Sequence, residues 1–136
     1  MPRIPMRYVN PETLAAARGY NNGVLMAPNA RGILFVAGQI GWNGDGQLVS
    51  DRFVDQFDRA LANVIAVVGA AGGSPESIGK LTIFVTSVDE YRSARKQIGE
   101  RYRERMGKHF PAMSLVQVSA LLEPGAKVEI EGLACL

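Results

Sequence analysis

Two β-like runs near the C-terminus constrain the fold of this chain more than any other feature. Residues 110–134 read FPAMSLVQVSALLEPGAKVEIEGLA, in which Glu-Pro-Gly separates the two runs. Successive side chains of a strand point to opposite faces of its sheet. In the second run one face is apolar, with Val128 and Ile130. The opposite face carries charged side chains, which are Lys127, Glu129 and Glu131. The pattern therefore predicts two carboxylates on the face that turns away from the core.

The size and composition of the chain predict one globular domain over residues 1–136. Of the 136 residues, 47% are hydrophobic and 21% are charged, as in ordinary globular proteins. The net charge of +2 gives no indication of a nucleic-acid-binding protein. Cys135 is the single cysteine, which excludes an internal disulfide and a cysteine-based zinc site and makes a cytoplasmic setting the default. Because no apolar run is long enough to span a bilayer, we expect no membrane partner.

The hydrophobic periodicity predicts the element order β-β-β-α-β-α-β-β. Helical spacing of apolar residues begins at Phe53, with Ser50 or Asp51 as the N-cap, and ends at a glycine pair. A second helix is predicted to begin with Asp89 as its cap and to end at Gly107. Strands are predicted at residues 6–9, 24–27, 33–39, 81–88 and in both runs of 110–134. This order predicts an α+β fold.

An uncovered sheet face is the main consequence of that order. Two amphipathic helices cover only one face of such a sheet. The other face is expected to keep apolar side chains from several strands, which are Leu115, Leu121, Leu133 and half of 33–36. A soluble monomer rarely exposes so large an apolar patch. We therefore expect the chain to form a homo-oligomer through this face.

Six short segments resemble, in the same order, those of the Rid/YjgF family of reactive-intermediate deaminases, also described as endoribonuclease L-PSP. They are Gly19-Tyr20…Gly23, Val36-Ala37-Gly38-Gln39, Ala70-Ala71-Gly72, Phe84-Val85-Thr86, Phe110-Pro111-Ala112 and Lys127-Val128-Glu129-Ile130-Glu131. Each is weak alone, and the resemblance lies in their combination from about Tyr20 to the C-terminus. It implies a chorismate-mutase-like fold with a six-stranded mixed sheet and two helices on one face. It also implies a homotrimeric barrel that binds a small-molecule ligand in clefts between subunits.

The resemblance also implies a set of site residues. In the deaminase branch, a glutamate on the last strand positions the water that hydrolyses an imine or enamine. Carried over residue by residue, that glutamate is Glu129, the catalytic candidate. The substrate-binding candidates are Tyr20 in the N-terminal turn and the backbone at Gly38 and Gln39. No cofactor and no metal is implied.

Met113 departs from the family pattern. It stands directly after Pro-Ala, where the deaminase branch has an arginine that holds the substrate carboxylate. A guanidinium offers two parallel charge-assisted hydrogen bonds, whereas a thioether offers no donor. Loss of such a contact costs about 2–5 kcal/mol. The substrate is therefore expected not to be a typical 2-imino acid, unless another cation holds the carboxylate, and Met113 is interpreted as a wall of the substrate pocket.

Three functions remain open from the sequence. The first is hydrolysis of a reactive imine or enamine, for which Glu131 on the same face is expected to raise the pKa of Glu129. The second is a non-catalytic ligand-binding or chaperone-like trimer, in which Glu129 is solvated or paired with Lys127. The third is an endoribonuclease, suggested by the basic residues of the second helix. Acidic residues interrupt that basic cluster and exposed stacking aromatics are absent from it, so an RNA partner is not expected.

Overall fold

The strands form one six-stranded mixed sheet, as the family resemblance implies. The computed structural model describes residues 6–18, 21–26 and 32–136. The strands are β1 (Met6–Val9), β2 (Gly23–Met26), β3 (Ile33–Ile40), β4 (Ile78–Val85), β5 (Ala112–Gln117) and β6 (Val128–Cys135). Their order in the sheet is β1-β2-β3-β6-β4-β5. β4 and β5 run parallel, and the other neighbouring pairs are antiparallel. The last two strands of the sequence are therefore separated in the sheet by β4.

The predicted second helix is two helices, which corrects the expectation of two helices in all. Helix α1 spans Phe53–Ala70, and α2 (Val88–Ser93) and α3 (Arg95–Met106) follow β4. Ala94 separates α2 from α3 because its backbone leaves the helical region, with φ −106° and ψ 10°. Tyr91 of α2 meets Phe53 of α1 edge-on, with ring centroids 6.5 Å apart. No helix in the described part of the chain is long and apolar enough to cross a membrane.

The predicted helix caps also differ from the observed ones. Ser87, two residues before the predicted Asp89, caps α2 by accepting the backbone N–H of Glu90 at 3.2 Å. Asp89 lies in the first turn, where its carboxylate still interacts favourably with the positive end of the helix dipole. Arg52 is the N-cap of α1, and no side chain caps it. Ser50 instead accepts the N–H of Arg52 and donates its hydroxyl to Asp55.

The core lies between the helices and one face of the sheet. The periodic apolar residues of α1 are buried, and so are Ile98, Tyr102 and Met106 of α3. They pack against alternate residues of the strands, among them Leu34, Leu81, Ile83, Val128 and Ile130. The alternation predicted for β6 is thus confirmed, with Val128 and Ile130 fully buried. Burial of each such side chain contributes about 1.5–3 kcal/mol relative to exposure.

The opposite face of the sheet is uncovered in the single chain, and we call it the open face. Its exposed apolar side chains include Ile33 (47% exposed), Phe35 (46%), Val116 (44%) and Leu133 (37%). Polar residues lie among them on the same face, which are Lys80, Thr82, Glu129 and Glu131. The expectation of an uncovered apolar face is therefore met.

Leu115 does not lie on the open face, contrary to the sequence-based expectation. It pairs with Ile83 of the parallel neighbour β4, and paired residues of adjacent strands point to the same face. Ile83 is buried under the helices, so Leu115 packs against the core. Leu121 lies beyond the end of β5. β4 also begins and ends three residues earlier than predicted, at Ile78 and Val85. Its pairing with β6 starts at Ile78 and passes Gly79 by a register shift, so the low strand propensity of Gly79 does not delay the start of the strand.

Asp58 ties the two longer helices together. Arg105 donates to both of its carboxylate oxygens, with Nε–Oδ1 at 2.8 Å and Nη2–Oδ2 at 3.0 Å. Arg101 donates to Oδ2 at 3.3 Å. The hydrogen bond from Arg105 holds the pKa of the Asp58 carboxyl below its usual range, and the charge of Arg101 adds to this effect. Two arginines of the basic second helix are therefore engaged within the subunit.

Asp58→Asn is expected to lower the free energy of unfolding at pH 7 by about 1–2 kcal/mol. A carboxyl whose pKa is depressed by folding contributes stability above its unfolded pKa, and loses it as the pH falls through the folded pKa. The difference from the wild type should thus shrink below about pH 4, as urea unfolding at pH 7 and pH 3 will show. Asp89→Asn is the control, because its pair with Arg92 is largely exposed. An equal loss in both variants would contradict the structural role of Asp58.

Candidate functional site

Glu129 lies at the middle of the sheet, on the open face. Its β6 position pairs with Ile40 of β3 and with Phe84 of β4. The side chain is half-buried and borders a cavity of about 300 Å³, which we call the Glu129 cleft. The other residues that line it are Ala37, Gly38, Ile40, Trp42, Leu122 and Glu123. A carboxylate in a mainly apolar cleft has the surroundings of an acid-base group.

Gly38 makes room for the Glu129 carboxyl group. A Cβ atom on Gly38 would lie 2.7 Å from Cδ of Glu129 and 2.9 Å from its Oε2. The pairing of β3 with β6 shifts between Val36 and Gln39, so Gly38 lies within a β-bulge. Bulges often re-aim side chains beside functional sites. The Ala-Gly-Gln segment therefore seats the carboxyl group against the backbone of β3.

The surroundings of Glu129 favour its protonated form. Partial burial raises the pKa of the Glu129 carboxyl above its usual range, and the nearby charge of Glu131 raises it further. Both carboxylates project from the open face, because they are two residues apart on one strand. Glu131 is exposed and pairs in register with Thr82. A carboxyl group with a raised pKa exchanges protons closer to neutral pH, where acid-base catalysis is most effective.

Two buried amides of α1 hold the backbone on both sides of the Glu129 cleft. Gln56 accepts the N–H of Lys127 at 2.8 Å, and it donates to the carbonyls of Ser50 and Gly125. Asn63 donates to the carbonyls of Ile40 and Trp42. Gln56 thus fixes the chain just before Glu129, and Asn63 fixes the end of β3.

A third buried amide connects β3 to the N-terminal segment. Gln39 is fully buried, and its Nε2 donates to Oδ1 of Asn22 at 2.9 Å. Asn22 in turn donates to Asn10 through its backbone and its side chain. The side chain of Gln39 is therefore engaged inside the subunit, so any contact that Gln39 makes with a ligand would come from its backbone. Two buried side-chain atoms lack a hydrogen-bond partner within the described residues, which are Oε1 of Gln39 and Nε1 of Trp42.

Met113 lies on the opposite side of the sheet from Glu129. It pairs with the buried Leu81 on edge strand β5, so its side chain points to the face that the helices cover. There it borders a separate cavity of about 220 Å³ beside α2 and α3, which we call the Met113 groove. One chain therefore does not bring Met113 and Glu129 into the same cavity. Tyr20, the remaining candidate, lies outside the residues that the structure describes.

The positioning roles of Gln56, Asn63 and Asn22 were missed in the sequence. A signal for the first two was present, because they are seven residues apart on the buried stripe of α1. Amides at buried helical positions require hydrogen-bond partners, and backbone groups are among the most common ones. No comparable pattern marks Asn22. Within the described residues, no group of three or more His, Cys, Asp or Glu side chains is placed to hold a metal ion.

Comparison with known proteins identifies the family. The family model described as Endoribonuclease L-PSP matches residues 11–136. The chain belongs to the Rid/YjgF family, which this model describes. Within that family, human 2-iminobutanoate/2-iminopropanoate deaminase is 30% identical over 102 residues, which cover 74% of this chain and 71% of the human protein.

Solved structures of Rid/YjgF proteins share the fold. The structure of YyfA, a Rid family protein from Yersinia pestis, matches with a TM-score of 0.82 at 34% identity and covers 97% of this chain and 100% of YyfA. TdcF from E. coli, solved with bound serine, matches with a TM-score of 0.81 at 30% identity and covers 96% of this chain and 98% of TdcF. The family resemblance inferred from the six segments is therefore confirmed.

Proposed function

We propose that this Rid/YjgF protein hydrolyses a small imine or enamine to a carbonyl compound and ammonia, in clefts between the subunits of a homotrimer. The observation that carries this function is the half-buried Glu129, whose pKa is raised at the edge of a mainly apolar cleft. A relative with about 30% identity bears the name of an imine deaminase. An acid-base group beside a cavity of 300 Å³ suits a reaction on a small molecule.

Glu129 activates and positions the water in this reaction. The carboxylate accepts a proton from water, and the water oxygen forms a bond to the imine carbon, which gives a carbinolamine. The protonated carboxyl group returns the proton to nitrogen. The carboxylate then takes the hydroxyl proton of the carbinolamine and passes it to the nitrogen as the C–N bond breaks, so the hydroxyl oxygen becomes the carbonyl oxygen and ammonia leaves. The raised pKa suits both halves of this cycle, because the same group must accept a proton and then donate it.

An oligomer completes the cleft. Glu129 and the apolar residues Phe35 and Leu133 share the open face, so association through that face brings a second subunit close to Glu129. Met113 lies on the other side of the sheet, at the free edge of β5. A residue at a sheet edge can reach the cleft of a neighbouring subunit, although it cannot reach the cleft of its own. The trimeric arrangement that the resemblance implies is consistent with this division.

The substrate differs from a typical 2-imino acid at the group that Met113 contacts. The thioether provides an apolar surface and no hydrogen-bond donor for a carboxylate. A substrate with an apolar group at this position fits the site better than one with a carboxylate directly beside the reacting carbon. Met113 also favours the alternative function, a non-catalytic trimer that binds the ligand and does not convert it.

The function is tested by ammonia release from imines generated in situ by oxidation of amino acids and of amines without a carboxylate. We expect the protein to accelerate ammonia release from at least one imine above its spontaneous rate, and to prefer imines without an adjacent carboxylate. Ammonia release at the spontaneous rate throughout the panel would contradict the proposed function. If a compound of the panel also raised the melting temperature, non-catalytic binding would be supported instead.

A further inference from the structure

The Met113 groove has an apolar floor and an aromatic wall. Its floor includes Ile83 and Ile98, which are buried, and Tyr91 lies on the α2 side. Phe110 and Met113 border it at the start of β5. Its volume of about 220 Å³ is below that of a site for a drug-sized ligand, so it suits a small molecule.

An exposed aromatic ring is held rigidly at the edge of this groove. Phe110 is 64% exposed, although its ring stacks on that of Tyr102 with centroids 5.4 Å apart and an angle of 13° between the planes. Tyr102 is buried and donates its hydroxyl to the carbonyl of His109 at 2.7 Å. The backbone before Phe110 is therefore fixed to α3. A preorganised apolar surface binds an apolar group at a lower entropic cost.

Two positive charges lie beside the apolar surface. Arg95 and Arg103 of α3 both border the groove, and none of the residues that line it is acidic. Within the described part of the chain neither arginine forms an ion pair, whereas Arg101, Arg105 and Arg92 do. The guanidinium of Arg103 lies beside Gly99, because a Cβ there would be in van der Waals contact with its Nη1 at 3.5 Å. The groove therefore combines uncompensated cations with apolar surface.

We propose that the Met113 groove binds a small molecule with an apolar or aromatic body and one carboxylate. The body packs against Phe110 and Met113, and the carboxylate binds Arg95 and Arg103. A guanidinium recognises a carboxylate by paired charge-assisted hydrogen bonds. Any role of the groove in catalysis rests on the proposed function, whereas the binding of a carboxylate ligand in the groove is independent of it. Applied to the substrate, this arrangement places the carboxylate farther from the reacting carbon than in a 2-imino acid.

The probe is 3-phenylpropionate, compared with its neutral primary amide by NMR titration of the full chain. We expect the acid to bind about tenfold more tightly, which corresponds to about 1.4 kcal/mol. The double variant Arg95→Gln/Arg103→Gln should remove this difference and leave the weak binding of the amide unchanged. Arg92→Gln is the matched control, because Arg92 is paired with Asp89 and does not line the groove.

A second variant tests the apolar part of the groove. Gly99→Leu places a side chain beside Arg103, and leucine favours a helix more than glycine does, so the fold should persist. Binding of both the acid and the amide should be lost. Equal affinity of the acid and the amide, or an equal loss in Arg92→Gln, would overturn the assignment of the two arginines.

The results separate the two proposals. Catalysed imine hydrolysis with no binding of 3-phenylpropionate would retain the proposed function and reject the groove as a carboxylate site. Binding through Arg95 and Arg103 without hydrolysis of any imine would do the reverse. Chemical-shift changes confined to the Glu129 cleft would also reject the groove.

Discussion

Glu129→Gln is expected to lower the rate of imine hydrolysis by at least about 100-fold. Glutamine retains the shape of glutamate, but its amide cannot accept a proton from water, and a positioned acid-base group contributes about 10² to 10⁴ in rate. The measurement is kcat and kcat/KM for ammonia release from the best imine of the panel. Ligand binding should persist, since the variant keeps the walls of the cleft. Full activity in this variant would exclude Glu129 as the catalytic group.

Two further variants separate the charge of Glu129 from its position. Gly38→Ala keeps the carboxylate but displaces it, because the added Cβ would occupy a position 2.7 Å from its Cδ. We therefore expect kcat to fall in Gly38→Ala while the pH dependence remains that of a carboxylate. Glu131→Gln removes the neighbouring charge and should leave kcat nearly unchanged. An unchanged kcat in Gly38→Ala would show that catalysis does not depend on the position of the Glu129 carboxyl group.

The structure determines the direction in which the pH dependence of kcat/KM is shifted. Burial and Glu131 raise the pKa of Glu129, so the acid limb of kcat/KM should lie above the pKa of an ordinary glutamate. Glu131→Gln should move this limb to lower pH. Ionisation of Glu129 costs stability, because folding raises its pKa, and this cost appears as the pH rises through the folded pKa. Glu129→Gln should therefore gain stability relative to the wild type over the same range.

Phe35→Asp is expected to separate the subunits and with them to remove the activity. Phe35 lies on the open face and is 46% exposed in the single chain. An aspartate buried there by association would have to be desolvated, at a cost of several kcal/mol. Light scattering at micromolar concentration should give a mass near the 14.7 kDa of one chain, in contrast to a multiple of it for the wild type. Ammonia release should fall about as far as in Glu129→Gln, because the cleft would be incomplete.

Val49→Asp is the control for this experiment. Val49 is 40% exposed and belongs to no strand of the sheet, so the same change of residue type should leave the assembly intact. A monomeric wild type would contradict the role assigned to the open face. Retention of full activity by a monomeric Phe35→Asp would contradict the shared cleft.

The elements with strong periodicity could be predicted from the sequence. The helical spacing from Phe53 predicted α1, and the alternation around Ile130 predicted both the buried side of β6 and the face that carries Glu129. The break at Ala94 could not be predicted, because neither glycine nor proline marks it and the apolar spacing of Tyr91, Ile98 and Tyr102 continues through it. Sequence periodicity does not record such a break.

The side of the sheet on which Met113 lies could not be predicted from the sequence either. Alternation within β5 grouped Met113 with Leu115 but did not decide which group faces the helices. The parallel pairing with β4 decides this, since it aligns Met113 with the buried Leu81. The cavity beside Met113 follows from this pairing, and so does the proximity of Arg95 and Arg103. These relations depend on contacts between elements that are distant in the sequence.

The two amides of α1 have a consequence for how such a protein can diversify. Gln56 and Asn63 lie about 10.5 Å apart along one helix. The backbone that they hold on the two sides of the Glu129 cleft, at Lys127 and at Ile40, therefore moves together with any shift of that helix. Selection for a new substrate would gain little from altering either of these two segments, because a change that shifts one of them through the helix also shifts the other. The side chain of Leu122 also lines the cleft and is fully exposed, so it can change without moving the backbone that Gln56 holds at Gly125. Inherited changes in substrate preference should therefore accumulate at Leu122, where they leave the chemistry at Glu129 intact.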